Sequence, residues 1–237
     1  MTSGREPAFA VLLDIDGTLI DSNYLHVDAW SHAFQKLGLN VPAWRIHRAI
    51  GSDSSKLLDD LIGDAPDEVK HEAKHHNTEY FDALKPRLKT FDGARGFIAD
   101  AADQGLRVVL ATSAPSGELE KLLDVLDSEE HIYAVTSAED VETAKPDPDV
   151  IAVALARADV DAEHAIMIGD SVWDVIAASK VGVPSIALLS GGTGRTELRN
   201  AGASAVFDDI ADLHRHASGH ALWKLLTGSP QGDPGSR

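Results

Sequence analysis

Short apolar runs alternate along this chain with stretches of helical periodicity. Phe9-Ala-Val-Leu-Leu13 is apolar throughout and of strand length, the pattern of a strand buried on both faces. Arg107–Thr112, Ala165–Ile168 and Ser185–Leu189 share that character, and Tyr133–Thr136 and Ala205–Phe207 are weaker versions of it. Helical patterns follow the strands at Gly93–Gln104, Ser116–Leu126, Val172–Val181 and Ile210–Leu213, with Gly105 placed to stop the first. Asp147-Pro148 predicts a further helix start, with Asp as N-cap and Pro at the first helical position, running to about Ala158. Strands alternating with helices predict a parallel sheet covered on both faces, an α/β Rossmann-like core.

Between Asp21 and Pro86 the pattern is helical throughout, through Leu25, Ala29, Phe34 and Leu37, then Leu57, Leu58, Leu61 and Ile62. Asn40-Val-Pro42, Gly51-Ser-Asp53 and Gly63-Asp-Ala-Pro66 punctuate it as turns or helix starts. The expected division is therefore a core of residues 1–20 and 87–237 interrupted by an all-helical insert at 21–86. The two crossings, at Asp21–Ser22 and Lys85–Phe91, are the hinge candidates. Residues 1–7 and 228–237 are polar or rich in Gly, Pro and Ser, and are expected to be loose.

Charge narrows the classes of partner. The 21 Lys+Arg against 38 Asp+Glu leave a net charge of −17, a field that repels a phosphate polymer, so nucleic-acid binding is not expected. With no cysteine there is no thiol nucleophile, thiolate metal site or disulfide framework. No run reaches the roughly 18 apolar residues of a membrane span, and Phe9–Leu13 lacks a cleavage pattern. The sequence thus predicts a soluble cytoplasmic protein, monomer or homodimer, with no membrane partner.

Parallel sheets of this kind bind ligands beyond the carboxyl ends of their strands. Three predicted strands end there in polar groups: Asp14 and Asp16, then Thr112 and Ser113, then Asp170, Ser171 and Asp174. Lys145, before Pro146, opens the next helix. Any one of these has an ordinary reading as a cap or a solvated side chain; their joint order is the signal.

The set Asp14-Ile-Asp16-Gly17-Thr18, Thr112-Ser113, Lys145-Pro146 and Gly169-Asp170-Ser171-Val-Trp-Asp174 resembles the four motifs of the haloacid dehalogenase superfamily, most of whose members are phosphatases. The helical insert looks like that family's first-position cap. The resemblance implies Asp14 as a nucleophile forming an aspartyl-phosphate and Asp16 as the acid and base. It further implies Thr112, Ser113 and Lys145 as phosphate-binding groups, and Mg²⁺ held by Asp14, the Asp16 carbonyl, Asp170 and Asp174. The residues are suited to this. Positions i and i+2 of a strand share a face, so both carboxylates can flank one phosphate. Clustered acids with a phosphate need a hard cation. Asp174 could ligate directly, through water, or by orienting Lys145.

The implied reaction is Mg²⁺-dependent hydrolysis of a small phosphorylated metabolite, phosphoglycolate or a sugar phosphate. Asp16 argues against the dehalogenase and phosphonatase branches, which lack that acid, although Lys56 leaves a cap lysine available. The rival is a phosphomutase of the β-phosphoglucomutase type, because His26 matches a hinge histidine of those enzymes. Against it stand Gly169 before Asp170, and Ser54 where those caps carry an arginine. An inactive binding protein of the same fold is the remaining reading, disfavoured because no motif residue is substituted. Arg45, Arg48 and Lys56, flanking Gly51-Ser-Asp-Ser-Ser55, are expected to supply the cationic groups of the cap, with His26 and Trp173 also near the substrate. His71, His75 and His76 are expected to form a solvated helix face, and Gly191-Gly-Thr-Gly194 a turn at the rim.

Overall fold

The computed structural model describes residues 8–140 and 145–217; the loose ends expected at 1–7 and 228–237 lie outside the described residues. Six strands form one sheet: β1 (Ala10–Leu13), β2 (Arg107–Ala111), β3 (Ala134–Thr136), β4 (Ala165–Gly169), β5 (Ser185–Leu188) and β6 (Ala205–Phe207). All neighbours are parallel, in the order β3-β2-β1-β4-β5-β6.

Alternation along the central strands builds two cores, one on each face. Val11 and Leu13, Val108 and Leu110, and Ile166 and Ile168 point to one face. Ala10 and Leu12, Val109 and Ala111, and Ala165 and Met167 point to the other. On the first face lie Phe97 and Ile98 of α5 (Ala94–Asp103), Leu119 and Leu122 of α6 (Ser116–Leu126), and Ile210 and Leu213 of α10 (Ile210–Ala217). On the second lie Val150, Ile151 and Ala154 of α7 (Asp149–Ala158) and Ala177 and Ala178 of α8 (Val172–Lys180). Each fully buried Val, Ile or Leu contributes about 1.5–3 kcal/mol, so both-sided burial explains why these strands read as unbroken apolar runs.

Residues 21–86 carry four helices and no strand: α1 (Asn23–Lys36), α2 (Ala43–Ala49), α3 (Ser54–Ile62) and α4 (Asp67–Leu84). Val27, Trp30, Phe34, Ile46, Leu57, Leu58 and Ala73 give this block a core of its own. The block is nonetheless rooted in the sheet, because Leu25 and Ala29 of α1 and Phe81 and Leu84 of α4 join the first sheet-face core. The two crossings run side by side: Asp21 N–H donates to Lys89 O at 2.8 Å, and Phe91 N–H to Leu19 O at 2.9 Å. Among the described residues, no helix is long and apolar enough to cross a membrane.

One expectation fails and one helix goes beyond the sequence reading. Helix α7 starts at Asp149 with Pro148 as its cap residue, so Asp147 is not the N-cap; its carboxylate instead takes Lys180 Nζ at 2.9 Å. A helix not foreseen, α9 (Arg195–Ala201), follows the Gly191–Gly194 turn. Its sequence RTELRNA buries only Leu198, too little to make a periodic signal.

Candidate active site

The site forms where β1, β2 and β4 end side by side. Asp14 leaves β1 with its N–H still bonded to Ile168 O at 3.0 Å, and the chain then folds back sharply, Leu19 and Ile20 N–H both donating to Ile15 O. Gly17 makes this turn possible. Its φ is 71°, and a Cβ there would come within 2.4 Å of Asn23 Nδ2 and 2.5 Å of Asp170 Oδ2. At the end of β4, Ser171 caps α8 reciprocally with Asp174: Asp174 Oδ2 accepts from Ser171 Oγ at 2.6 Å and from Ser171 N–H at 3.1 Å.

Lys145 joins the two strand ends. Its Nζ lies 2.6 Å from Asp14 Oδ1 and 2.7 Å from Asp174 Oδ1, in a slot where the lysine is 2% exposed. Asp170 accepts from Thr18 Oγ1 at 2.9 Å and from Asn23 Nδ2 at 2.8 Å. Asp14, Asp170 and Asp174, all buried, place ligand oxygens within 4.8 Å of one another.

Three carboxylates share one ammonium here, and their proton affinities show it. Burial pushes Asp14 up to about 7 in spite of the charge of Lys145. Burial, then the charges of Asp174 and Asp14, push Asp170 well above the usual carboxylate range against the bonds from Thr18 and Asn23. Burial disfavours the Lys145 ammonium too, but Asp14 and Asp174 outweigh it and raise its pKa. An all-oxygen donor set with excess negative charge fits a hard divalent cation.

Asp16 belongs to a second group on the cavity side. Ser22 Oγ donates to its Oδ1, and His26 Nε2 lies 3.3 Å from the same oxygen. His26 stacks on Phe81, ring centroids 4.0 Å apart, and its Nε2 is also 3.6 Å from Glu118 Oε1 of α6. Burial works against the charge of Asp16, yet the bonds from His26 and Ser22 together hold it below its ordinary value. Burial likewise opposes a charged His26, and Asp16 and Glu118 overcome it, raising its pKa.

These groups open on one cavity of about 190 Å³ between sheet edge and helical block. Asp14, Asp16, Thr112, Ser113 and Lys145 form its floor, and Trp30, Ile50 and Leu57 supply apolar wall. Thr112 Oγ1 accepts from Ala114 N–H at 3.0 Å, while buried Ser113 Oγ has no partner.

The structure thus gathers Asp14, Asp16, His26, Thr112, Ser113, Lys145, Asp170 and Asp174, and it does not bring the three expected cap cations to the cavity. Arg45 Nη2 donates to Asp60 O at 3.1 Å. Arg48 forms a two-bond pair with Glu197 of α9, one bond at 2.8 Å. Lys56 pairs with Asp60 at 2.9 Å and lies over the Trp173 ring, which also stays out of the cavity lining. Each finds a carboxylate, carbonyl or ring closer than the cavity. Ser22, Asn23, Glu118, Lys74 and Asn77 were missed. Glu118 and His26 meet only through the fold, although an acid in the first turn after Thr112-Ser113 was a readable hint. His75, His76 and Glu79 do cluster, but Lys36 Nζ sits 3.2 Å from His76 Nδ1, an ammonium that opposes any cation there.

Comparison with known proteins agrees with this geometry. A family model described as haloacid dehalogenase-like hydrolase matches residues 11–188. A phosphoglycolate phosphatase of Rhodospirillum rubrum is 28% identical over 214 residues, 86% of this chain and 88% of that one. Pyrophosphatase PpaX of Halalkalibacterium halodurans is 26% identical over 178 residues, 73% of this chain and 80% of that one. Among solved structures, a hydrolase from Pseudomonas syringae superposes with a TM-score of 0.84 at 30% identity, covering 89% of this chain and 98% of the other.

Proposed function

This chain belongs to the haloacid dehalogenase-like hydrolase family, and on that premise we propose that it hydrolyses phosphate monoesters of small metabolites through a phosphorylated Asp14, with Mg²⁺ as its metal. Residues 21–86 act as the cap and residues 1–20 and 87–237 as the core. The observation that carries this reading is the grip of Lys145 on Asp14 and Asp174 at 2.6 and 2.7 Å. It fixes the nucleophile by one oxygen at the floor of the cavity.

Each group then has a part. An Asp14 carboxylate oxygen attacks phosphorus as the ester P–O bond breaks, and Lys145, Thr112 and Ser113 hold the non-bridging oxygens. Asp16 gives its proton to the departing alkoxide, then takes one from the water that attacks phosphorus and frees Asp14. With the site empty of phosphate, Ser22 and His26 favour ionised Asp16, the form the second step needs. A phosphoryl dianion beside it adds like charge and draws a proton to it for the first step. Asp14, Asp170 and the Asp16 carbonyl would hold Mg²⁺, which supplies neutralisation of charge on the transferring group. Asp174, with Oδ2 taken by Ser171, serves better to orient Lys145.

Phosphoglycolate and sugar phosphates are the substrates to try first, given the names of the relatives. The phosphomutase reading draws on the His26–Asp16 contact, but the loop at Gly51–Ser55 offers no cation to a second phosphate. The test is release of inorganic phosphate from p-nitrophenyl phosphate and a panel of phosphorylated metabolites, with Mg²⁺ and with chelator. Release that needs Mg²⁺ supports the reading; interconversion of sugar phosphates without net release would replace it with the mutase.

A further inference from the structure

Helix α1 begins with Ser22 and Asn23, residue types that favour helix caps, yet both side chains turn into the site. Ser22, at the cap position, makes no side-chain cap bond and gives its Oγ to Asp16 instead. Asn23 Nδ2 donates to Asp170 Oδ2 at 2.8 Å. The same Nδ2 lies 3.4 Å from Gly191 O, which also takes His47 Nε2 at 2.8 Å. One amide thus ties the first turn of α1 to the chain beyond β4 and beyond β5. Asn23 is 6% exposed, and its Oδ1 is buried with no donor among the described residues. An unpaired buried acceptor is unfavourable, so the amide owes its orientation to the bonds of Nδ2. The backbone on both sides is bare where this pair meets. A Cβ on either Gly17 or Gly191 would collide with both Asn23 Nδ2 and Asp170 Oδ2.

We propose that Asn23 is a positioning residue of the metal site, holding the Asp170 carboxylate in the orientation that takes the divalent cation. This rests on the reading of Asp170 as a ligand of that cation, and it adds a residue that lies outside the four sequence motifs. Thr18 Oγ1 donates to Asp170 Oδ1 at 2.9 Å and Asn23 Nδ2 to Oδ2, so the carboxylate is held by both oxygens. A carboxylate oxygen accepts more than one bond, and each therefore keeps capacity for a cation. The two donors come from different parts of the chain, Thr18 from the turn after β1 and Asn23 from the helical block. Partners of this kind orient a ligand before the metal arrives, and their loss weakens metal binding about 10–100-fold. The turn that opens at Gly191 has a part in this too. Its carbonyl takes the amide from the other side, and its missing side chain leaves room for the pair.

The experiment titrates the full chain with Mg²⁺ alone, without substrate, by isothermal calorimetry in wild type, Asn23→Ala, Asn23→Leu and Arg48→Ala. Asn23→Leu keeps the shape of the side chain and loses its donor. Arg48→Ala breaks another contact of the helical block with the core, the pair with Glu197, which is remote from the Asp170 carboxylate in bonding. Kd for Mg²⁺ should weaken about 10–100-fold in both Asn23 variants and keep its wild-type value in Arg48→Ala. Circular dichroism checks the fold of each protein before titration, and Asn23→Ser, which suits a helix start, replaces either Asn23 variant that fails to fold. A merely structural Asn23 would lower the metal-free melting temperature and leave Kd unchanged, and that result overturns the inference. Equal weakening in Arg48→Ala overturns it as well, because the effect would then belong to the seating of the block and not to the bond on Asp170. A wild type that binds no Mg²⁺ removes the ligand assignment itself, and the inference falls with it.

Discussion

Lys145 Nζ stands between Asp14 Oδ1 and Asp174 Oδ1, 2.6 and 2.7 Å away, and binds the end of β1 to the first turn of α8. Removing one partner of such a buried group costs about 3–5 kcal/mol, because the charges left behind are uncompensated. Lys145→Met should lower unfolding free energy by that order in metal-free urea denaturation and abolish turnover. Lys145→Arg should restore neither, since a slot fitted to an ammonium at 2% exposure has no room for a planar fork. A Lys145→Met protein as stable as its parent would show that the charges are not coupled as described.

Asp14, Asp170 and Asp174 crowd buried oxygens within 4.8 Å, so a divalent cation should stabilise the fold by mass action. At a hundredfold excess over Kd the gain is about 2.7 kcal/mol, an upward shift of several degrees in a thermal melt with Mg²⁺. Asp170→Ala should lose that shift. Melts of wild type that ignore Mg²⁺ would contradict the assignment of the cluster.

Asp16, beside Asp14 in the cavity lining, should matter in proportion to the leaving group's need for a proton if it acts as the proposed acid. Asp16→Asn is expected to slow alkyl phosphate hydrolysis by about 10²–10⁴ and p-nitrophenyl phosphate hydrolysis by much less. Equal losses on both esters would remove the acid role.

Arg48 and Glu197 dock α2 of the helical block onto α9 of the core, beside the bond between His47 Nε2 and Gly191 O at 2.8 Å. The pair is partly exposed, so its coupling should be small, about 0.2–1 kcal/mol. Arg48→Glu and Glu197→Arg should each destabilise, and the double exchange should recover that coupling in a double-mutant cycle. Strictly additive effects would mean that α2 does not rest on α9 in solution.

The sheet and the polar edge that lines the cavity were readable for one physical reason. A parallel strand buried on both faces is an unbroken apolar run, and the polar break after it marks the edge where ligands bind. Asp14, Thr112 and Asp170 stand directly at such breaks. Where packing rather than pattern decides, the sequence fell silent. Helix α9 buries only Leu198 and showed no period, so nothing indicated that Arg48 had Glu197 to meet. Arg45, Arg48 and Lys56 were visible as cations on helices, but which face a short helix presents depends on its neighbours. Asn23 drew no notice because its bond to Asp170 is a property of surroundings and not of residue type.

The central claim is that Asp14 carries the phosphoryl group, and rapid acid quench of the enzyme turning over a ³²P-labelled phosphate ester tests it most directly. Label should appear on protein within the first turnover, be released by hydroxylamine as an acyl phosphate is, map to the peptide holding Asp14, and be absent from Asp14→Asn, which should also fail to turn over. Turnover in wild type with no labelled protein at any quench time, together with an active Asp14→Asn enzyme, would contradict it.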